Sequence, residues 1–545
     1  MTDIQQADVT PTADWWRNAV VYQIYVRSFA DANGDGTGDI GGIRSKLTYL
    51  ADLGIDAIWV NPWYVSPLAD GGYDVADYRD IDPRYGTLDE AEAFIAEAAE
   101  LGIRVLVDLV PNHCSSEHRW FQEALASAAG SAARNRFHFR DGAGPDGDLA
   151  PNDWISVFGG SAWERIADGQ WYLHLFDSEQ PDLNWENPEV RAEFESILRF
   201  WLDRGAAGFR VDVAHSLIKA PGYPDLGDRS QRDGPGMMDD HPFWDRDEVH
   251  EVIRSWRSIL DEYDDRMMVA EAWVRPEQRP LYVRPDEYHQ AFDFDLVAAP
   301  WSAAEYSAVI ERAVAFAEQV GSSNTWVLSN HDVIRHLTRY GLDAGVDEQA
   351  WLLDPRPDQF DLERGTRRAR AAVMIVASLP GALYLYQGEE LGLPEVTDIP
   401  EALLDDPIWA NSGHQIKGRD GCRVPLPWES SGPSLGFGTG ATWLPQPEVF
   451  AQLSAAAQVD DDGSMLALYR SALALRREML TDDASIRMLD LGDDVVAFER
   501  GSGLRCVANM GSKAVAMPVG RRLLASGPVS DDLLPSDTAV WLVGE

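Results

Sequence analysis

The chain has 545 residues, enough for a large core and more than one domain, and carries 90 Asp and Glu against 46 Lys and Arg, a formal charge of −44. Nucleic acid and anionic membranes are poor partners for such a surface, because the phosphate-neutralising interaction becomes repulsive. Three scattered cysteines (Cys114, Cys422, Cys506) supply neither a disulfide framework nor a zinc site, no apolar run is long enough to span a bilayer, and MTDIQQADVTPTADWW lacks the basic stretch and apolar run of a signal peptide. The expectation is a cytoplasmic protein, a monomer or small homo-oligomer, without an organic cofactor.

Short apolar runs alternate with helical stretches along most of the chain. VVYQIYVRSF (20–29), AIWVNPW (57–63), RVLVDLV (104–110) and GFRVDV (208–213) are predicted strands, as are MMVAEAWV (267–274), AFDFDL (291–296), TWVLSN (325–330) and ALYLYQ (382–387). Between them, Thr87 and Glu90 form a capping box before LDEAEAFIAEAAELG, and Asn187 with Pro188 opens VRAEFESILRFWLDRG. Eight such alternations predict an α/β fold, a (β/α)₈ TIM barrel formed by residues 1–113 and 186–481. Residues 114–185, rich in Gly, Pro, Asp and aromatics, read as a small domain inserted after the third strand. An irregular stretch, 395–448, follows the eighth strand. Short strands from 482 to 545 predict a C-terminal antiparallel β domain.

Polar residues at the C-terminal ends of barrel strands belong to the active-site face. There the chain places Asp212 in GFRVDVAH, Glu271 in AEAWV, and His331 and Asp332 in SNHD. Two carboxylates flanking a glycosidic bond, one nucleophilic and one proton-donating, are what a retaining glycosidase requires. Arg210, two residues before Asp212 on the same side of the strand, is expected to keep that carboxylate ionised. Glu271 lies between alanines and a tryptophan, an apolar setting expected to raise its pKa. Each residue taken alone has a plainer reading: an Arg–Asp brace, a strand-end glutamate, and for Asp332 a helix N-cap. His113 closes DLVPNH (108–113) and can donate to a sugar hydroxyl, while Asp108 and Asn112 are read as supports.

With DLVPNH, these blocks resemble the four signature regions of the α-amylase family of glycoside hydrolases, in the family's order. The resemblance implies Asp212 as nucleophile, Glu271 as general acid/base and Asp332 as transition-state stabiliser, with Arg210, His113 and His331 around them. QPDLNW (180–185), VFGGSAWE (157–164) and GGYDVADY (71–78) resemble the oligo-1,6-glucosidase and α-glucosidase branch. That branch closes its pocket with an aspartate and an arginine, and the matching positions are Asp74 and Arg423, with Arg419 as a helper. Tyr73, Phe158, Phe176 and Gln180 are expected to line the first glucose site, or else to serve as packing. The implied function is exo-acting hydrolysis of short α-glucosides. Transglucosylation or trehalose synthase-like isomerisation on the same residues is the alternative, and a non-catalytic transporter-heavy-chain barrel a remote one. Val213, after the nucleophile, accompanies α-1,6 activity in related enzymes, but the Ala-His-Ser that follows departs from that pattern and favours a broad or α-1,4 preference.

DANGDGTGD (31–39) offers oxygen ligands at alternate positions: Asp31, Asn33, Asp35, the Thr37 carbonyl and Asp39. The spacing resembles the first part of a calcium loop. A structural Ca²⁺ or Mg²⁺ is expected there, away from the chemistry.

Overall fold

Alternation along each strand builds this molecule in two shells. In the first strand Val20, Tyr22 and Ile24 face the large outer cluster under the helices, whereas Val21 faces an inner one. Ile58 and Val60 face out and Ala57 and Trp59 in; Val105 and Val107 face out and Leu106 in; Met268 and Ala270 face out and Met267 and Val269 in. A period of two with apolar residues on both faces is the signature of a parallel sheet closed into a barrel under helices.

The computed structural model describes residues 14–227, 240–479 and 484–544. Eight parallel strands form its centre: β1 (Val20–Ile24), β2 (Ala57–Val60), β3 (Arg104–Leu109), β4 (Gly208–Val211), β5 (Met267–Ala270), β6 (Gln290–Ala291), β7 (Thr325–Val327) and β8 (Ala382–Tyr386). They are hydrogen-bonded in the order β6-β5-β4-β3-β2-β1-β8-β7. Side chains bridge the seam between β6 and β7. The Thr325 hydroxyl donates to Ala291 O at 2.8 Å and accepts from Asp293 N–H at 2.9 Å. The fold is therefore the expected TIM barrel.

Several predicted strands are shorter in the structure. β1 stops at Ile24, and β6 is a two-residue strand followed by a turn of helix at Asp295–Ala298, so most of AFDFDL is not strand. The helices follow their caps. α1 (Leu88–Glu100) has the full Thr87–Glu90 capping box, and α2 (Pro188–Leu202) starts on Asn187 with its proline in the first turn.

After β3 the chain leaves the barrel and forms a three-stranded antiparallel sheet, with Gln170–Leu173 between Phe139–Asp141 and Trp163–Arg165. It returns through a bridge between His113 and Asp182. Its apolar cluster (Trp154, Trp163, Leu173, Leu175) also takes in Val213, Phe243 and Trp244 from the connection after β4. Beyond the barrel, β9 (Ile486–Met488), β10 (Val495–Arg500), β11 (Arg505–Asn509), β12 (Arg521–Ala525) and β13 (Thr538–Val543) form an antiparallel sheet in the order β9-β10-β11-β13-β12. It rests on the helix Leu362–Ser378, where Trp541 Nε1 donates to Met374 O at 2.9 Å. The junction read at 481–482 and most of the N-terminal stretch read for a signal lie outside the described residues. Among the described residues no helix is long and apolar enough to cross a membrane. All three cysteines are buried and unpaired.

Candidate active site

The same alternation that fills the barrel with apolar side chains carries polar ones to its C-terminal mouth. Inward-facing Leu106 is followed two residues later by Asp108, Gly208 by Arg210 and then Asp212, and Val269 by Glu271. In the β3–β4 register Asp108 lies directly opposite Arg210. Register alone thus gathers three carboxylates around one guanidinium.

Arg210 Nη1 donates to Asp108 Oδ1 at 3.0 Å and to Asp212 Oδ1 at 2.6 Å, while Nη2 lies 3.0 Å from Glu271 Oε2. Glu271 also accepts from Val213 N–H at 3.0 Å and from Trp273 Nε1 at 2.8 Å. Its setting is therefore polar, a correction to the apolar environment expected from its neighbours in sequence. Val213 reaches Glu271 from a φ of +42°, a strained value for a β-branched residue. Burial pushes Asp212 well above the usual carboxylate range, against the pull of Arg210, and Glu271 and Asp108 push the same way. Arg210 stands where the sequence places it, bonded to Asp212, and its charge favours the ionised carboxylate while burial opposes it. Asp108 is likewise pushed up by burial, to about 6, with Arg210, Trp59 and Tyr73 opposing. One cation cannot balance three buried carboxylates, so the cluster tends to hold a proton.

A second cluster forms around Asp332. That residue does not cap a helix, since the next one, His336–Gly341, starts after Arg335. Instead Asp332 Oδ1 accepts from Arg419 Nη1 at 3.0 Å and from Arg423 Nη2 at 3.1 Å, and Oδ2 lies 3.3 Å from His331 Nε2. Burial pushes Asp332 up, but His331, Arg419 and Arg423 outweigh it and hold the carboxyl well below its usual range. His331 is kept neutral by burial. Gln23 Nε2 sits 2.7 Å from its Nδ1 and donates to Asn61 Oδ1 at 2.9 Å, which leaves His331 Nε2 to carry the proton toward Asp332.

Tyr73 stacks on His331 with ring centroids 5.2 Å apart and an interplanar angle of 9°, and its hydroxyl donates to Asp108 at 2.9 Å. His113, held neutral by burial, lies 3.1 Å from Gln180 Nε2 and 5.1 Å from the Phe176 ring. Phe158 meets Phe176 edge-on at 5.9 Å and lies under the Arg419 guanidinium at 5.5 Å. Behind His113, the buried Lys219 bonds Asp182 at 2.8 Å and Asn112 at 2.9 Å, tying the inserted domain to the barrel.

The expected closing pair needs correction. Asp74 is fully buried and spends both oxygens on its own loop, accepting from the Ser66 hydroxyl and from the Ala69 and Asp70 amides at 2.9, 3.0 and 3.1 Å. The chain turns between the two aspartates at Gly71 and Gly72, φ +57° and +110°, and the carboxylate that reaches the arginines is that of Asp70. Asp70 pairs with Arg419 at 2.6 Å and accepts from Gln180 at 3.2 Å. Arg423 remains at the site through Asp332 and through His331 O at 2.9 Å, but not as a partner of Asp74. Sequence reading missed Asp70, Gln23 and Asn61. The Gly-Gly turn after Asp70 was the available signal for the first; the other two fall on strand ends and carry no motif.

In the 31–39 loop, Asp31 accepts from the Gly34 and Gly36 amides at 2.6 and 2.9 Å, and Asp39 caps the helix Ile40–Ser45 through Gly42 N–H at 2.6 Å. Asn33 and Asp35 close small turns onto Asp35 and Thr37 amides. Among the described residues no three His, Cys, Asp or Glu side chains converge as a metal site. The oxygen donors of this loop suit a hard divalent cation in kind.

Residues 23–483 match the family model "Alpha amylase, catalytic domain". A probable alpha-glucosidase of Rhizobium meliloti is 35% identical over 94% of this chain and 92% of its own length, and an oligo-1,6-glucosidase of Parageobacillus thermoglucosidasius is 35% identical over 85% and 84%. Among solved structures, the trehalulose synthase MutB of Pseudomonas mesoacidophila MX-45 superposes with a TM-score of 0.85 at 31% identity, covering 98% of this chain and all of that one. An alpha-glucosyl transfer enzyme gives 0.83 at 33%, with the same coverage. A barrel with this cluster at its mouth, matched over nearly its full length, belongs to the α-amylase family of glycoside hydrolases, in its α-glucosidase and oligo-1,6-glucosidase branch.

Proposed function

We propose that the chain is a retaining, exo-acting α-glucosidase that removes glucose from the non-reducing end of short oligosaccharides. The observation that carries this reading is one guanidinium, Arg210, bonded to both Asp212 and Glu271, with Asp332 and Asp70 joined by Arg419. Two carboxyls on one guanidinium suit the spacing of about 5 to 5.5 Å used for retention better than the wider gap of inverting enzymes.

In the reacting complex the mechanism needs Glu271 to carry a proton and Asp212, bonded to Arg210, to be ionised. Asp212 attacks the anomeric carbon while Glu271 protonates the departing oxygen, giving a covalent β-glucosyl enzyme. Glu271, now a base, takes a proton from a water whose oxygen attacks the anomeric carbon, the bond to Asp212 breaks, and α-glucose leaves with Asp212 again a carboxylate. Asp332, kept ionised by its two arginines, binds ring hydroxyls most tightly as the sugar flattens. Tyr73, His113, Phe158, Phe176 and Gln180 would line the first glucose site.

Incubation with maltose, isomaltose and sucrose, with every product identified, tests the reading. α-Glucose as first product supports it; β-glucose as first product, or no cleavage of any of the three, defeats it. Trehalose or longer sugars from maltose would instead assign the chain to transfer. The preference is broad or for α-1,4 bonds, with Val213 drawn into the inserted domain's apolar cluster. A structural Ca²⁺ or Mg²⁺ would be held by Asp31, Asn33, Asp35, the Thr37 carbonyl and Asp39, bracing the loop and taking no part in the chemistry. A chelator is then expected to lower the melting temperature without altering KM. The site of action is the cytoplasm, as a monomer or small homo-oligomer.

A further inference from the structure

Arg419 is gripped by three carboxylates, and only two of them belong to the pocket. Nη2 reaches Asp70 Oδ1 at 2.6 Å and Nη1 reaches Asp332 Oδ1 at 3.0 Å. The third is Asp406, whose side chain is 0% exposed. Its Oδ2 accepts from Arg419 Nε at 2.5 Å and its Oδ1 from Nη2 at 3.1 Å. Asp406 holds the backbone too, accepting from Arg419 N–H at 2.7 Å and Ile408 N–H at 3.1 Å.

The surroundings are built for this contact. Gly418, at φ +83°, lies against Asp406, and a Cβ there would come within 2.7 Å of the Asp406 Cβ and Cγ. Asp420 Oδ2 accepts the amides of Asp405 and Asp406 at 2.8 and 3.1 Å, fixing the turn that presents the carboxylate. Burial pushes Asp406 up, but Arg419, and then Arg423, pull it down to about 2, so it is ionised at any working pH. A carboxylate bonded to both Nε and Nη fixes the plane of a guanidinium that several rotatable bonds would otherwise leave free.

From this geometry we infer that Asp406 is a positioning residue. It holds Arg419 in the one orientation that reaches Asp70 and Asp332 together, and so sets how tightly the pocket closes around a terminal glucose. Nothing in the motifs marks this residue; it lies 13 positions before Arg419 in the irregular stretch after β8. The closing of a glucose pocket rests on the exo-glucosidase reading, whereas the placement of Arg419 does not.

The test uses the full-length enzyme and Asp406→Asn, which keeps size and one backbone acceptor but removes the charge. KM for maltose should rise about tenfold or more, as for loss of a charge-assisted contact, while kcat changes less than about threefold. Binding of 1-deoxynojirimycin, a glucose-shaped amine, should weaken in parallel. In an Arg419→Ala background the same change should have no further effect on KM, since Asp406 acts only through that arginine. A folded Asp406→Asn with unchanged KM and iminosugar affinity overturns the inference, as does an equal loss in the Arg419→Ala background. Should that variant not fold, Asp406→Glu, which keeps the charge and moves it by one methylene, must raise KM by an intermediate factor or the inference fails. If the wild type releases no glucose, the functional reading falls; a crystal structure of Asp406→Asn then decides the inference alone, upheld by a displaced Arg419 and overturned by an unmoved one.

Discussion

Two arginines organise the site, Arg210 as its floor and Arg419 behind its rim, and each is shared by three carboxylates. On the floor, Arg210 holds Asp108, Asp212 and Glu271; on the rim, Arg419 holds Asp70, Asp332 and Asp406. The difference lies in the charge balance. The rim adds Arg423 and His331 at Asp332, and its carboxyls at 332 and 406 are held below the ordinary range. The floor has one cation for three acids, and burial pushes Asp108 and Asp212 above that range. A proton-poor rim suits fixed recognition of hydroxyls, whereas a floor that tends to keep a proton suits acid–base chemistry.

The largest effect belongs to the floor. Asp212→Asn should lower kcat by roughly 10⁴-fold or more with the fold intact, measured as glucose release. Arg210→Met leaves three acids without their cation. It should cost roughly 10² to 10³-fold in kcat and lower the melting temperature, because uncompensated buried charge is strongly destabilising. A rim change should separate binding from turnover. Asp70→Asn is expected to raise KM for maltose about tenfold with little change in kcat, whereas Asp74→Asn should lower stability and leave KM alone. The reverse outcome would restore Asp74 as the closing residue.

The smallest effect is the most diagnostic of the comparison. Asp108 is raised to about 6 in the folded protein, so between about pH 4 and 6 the native state binds more protons than the unfolded chain. Stability from this group therefore falls as pH rises through that window, and Asp108→Asn should flatten the slope. Asp406 is depressed to about 2, so its contribution is full above about pH 4 and is lost as pH falls toward 2. Asp406→Asn should flatten that acid limb. Melting temperature against pH for the two variants should show corrections on opposite sides of pH 4; corrections on the same side would abolish the distinction between floor and rim.

The floor was legible in the sequence because strand alternation dictates it. Once GFRVDV is a barrel strand, Arg210 and Asp212 must share a face, and Asp108 and Glu271 follow from their own strands. On the rim the motifs pointed to Asp332, His331, Arg419 and Arg423, but not to Asp70 as the partner of Arg419, because loops set that contact. Asp70 and Asp74 lie four residues apart on either side of the turn through Gly71 and Gly72, and which of them meets Arg419 is a matter of that turn. Arg419 and Arg423 are likewise separated by one short 3₁₀ turn, Asp420–Cys422, that no period predicts. Asp406 was invisible altogether, since its role exists only through a contact made in three dimensions. AFDFDL is mostly not strand for a related reason: Phe292 N–H still donates to Ala270 O at 2.9 Å, but Asp293 turns to the Thr325 hydroxyl at the seam, and the strand ends.

In the proposed reaction Asp212 bonds covalently to the sugar while Glu271 serves as acid and base. Reaction with 5-fluoro-α-glucosyl fluoride, followed by proteolysis and mass spectrometry, tests this directly. A stable glycosyl ester is expected on the peptide containing GFRVDVAH, placed on Asp212 by fragmentation. Turnover of the reagent with the label on another residue, or inversion with no label at all, would contradict it.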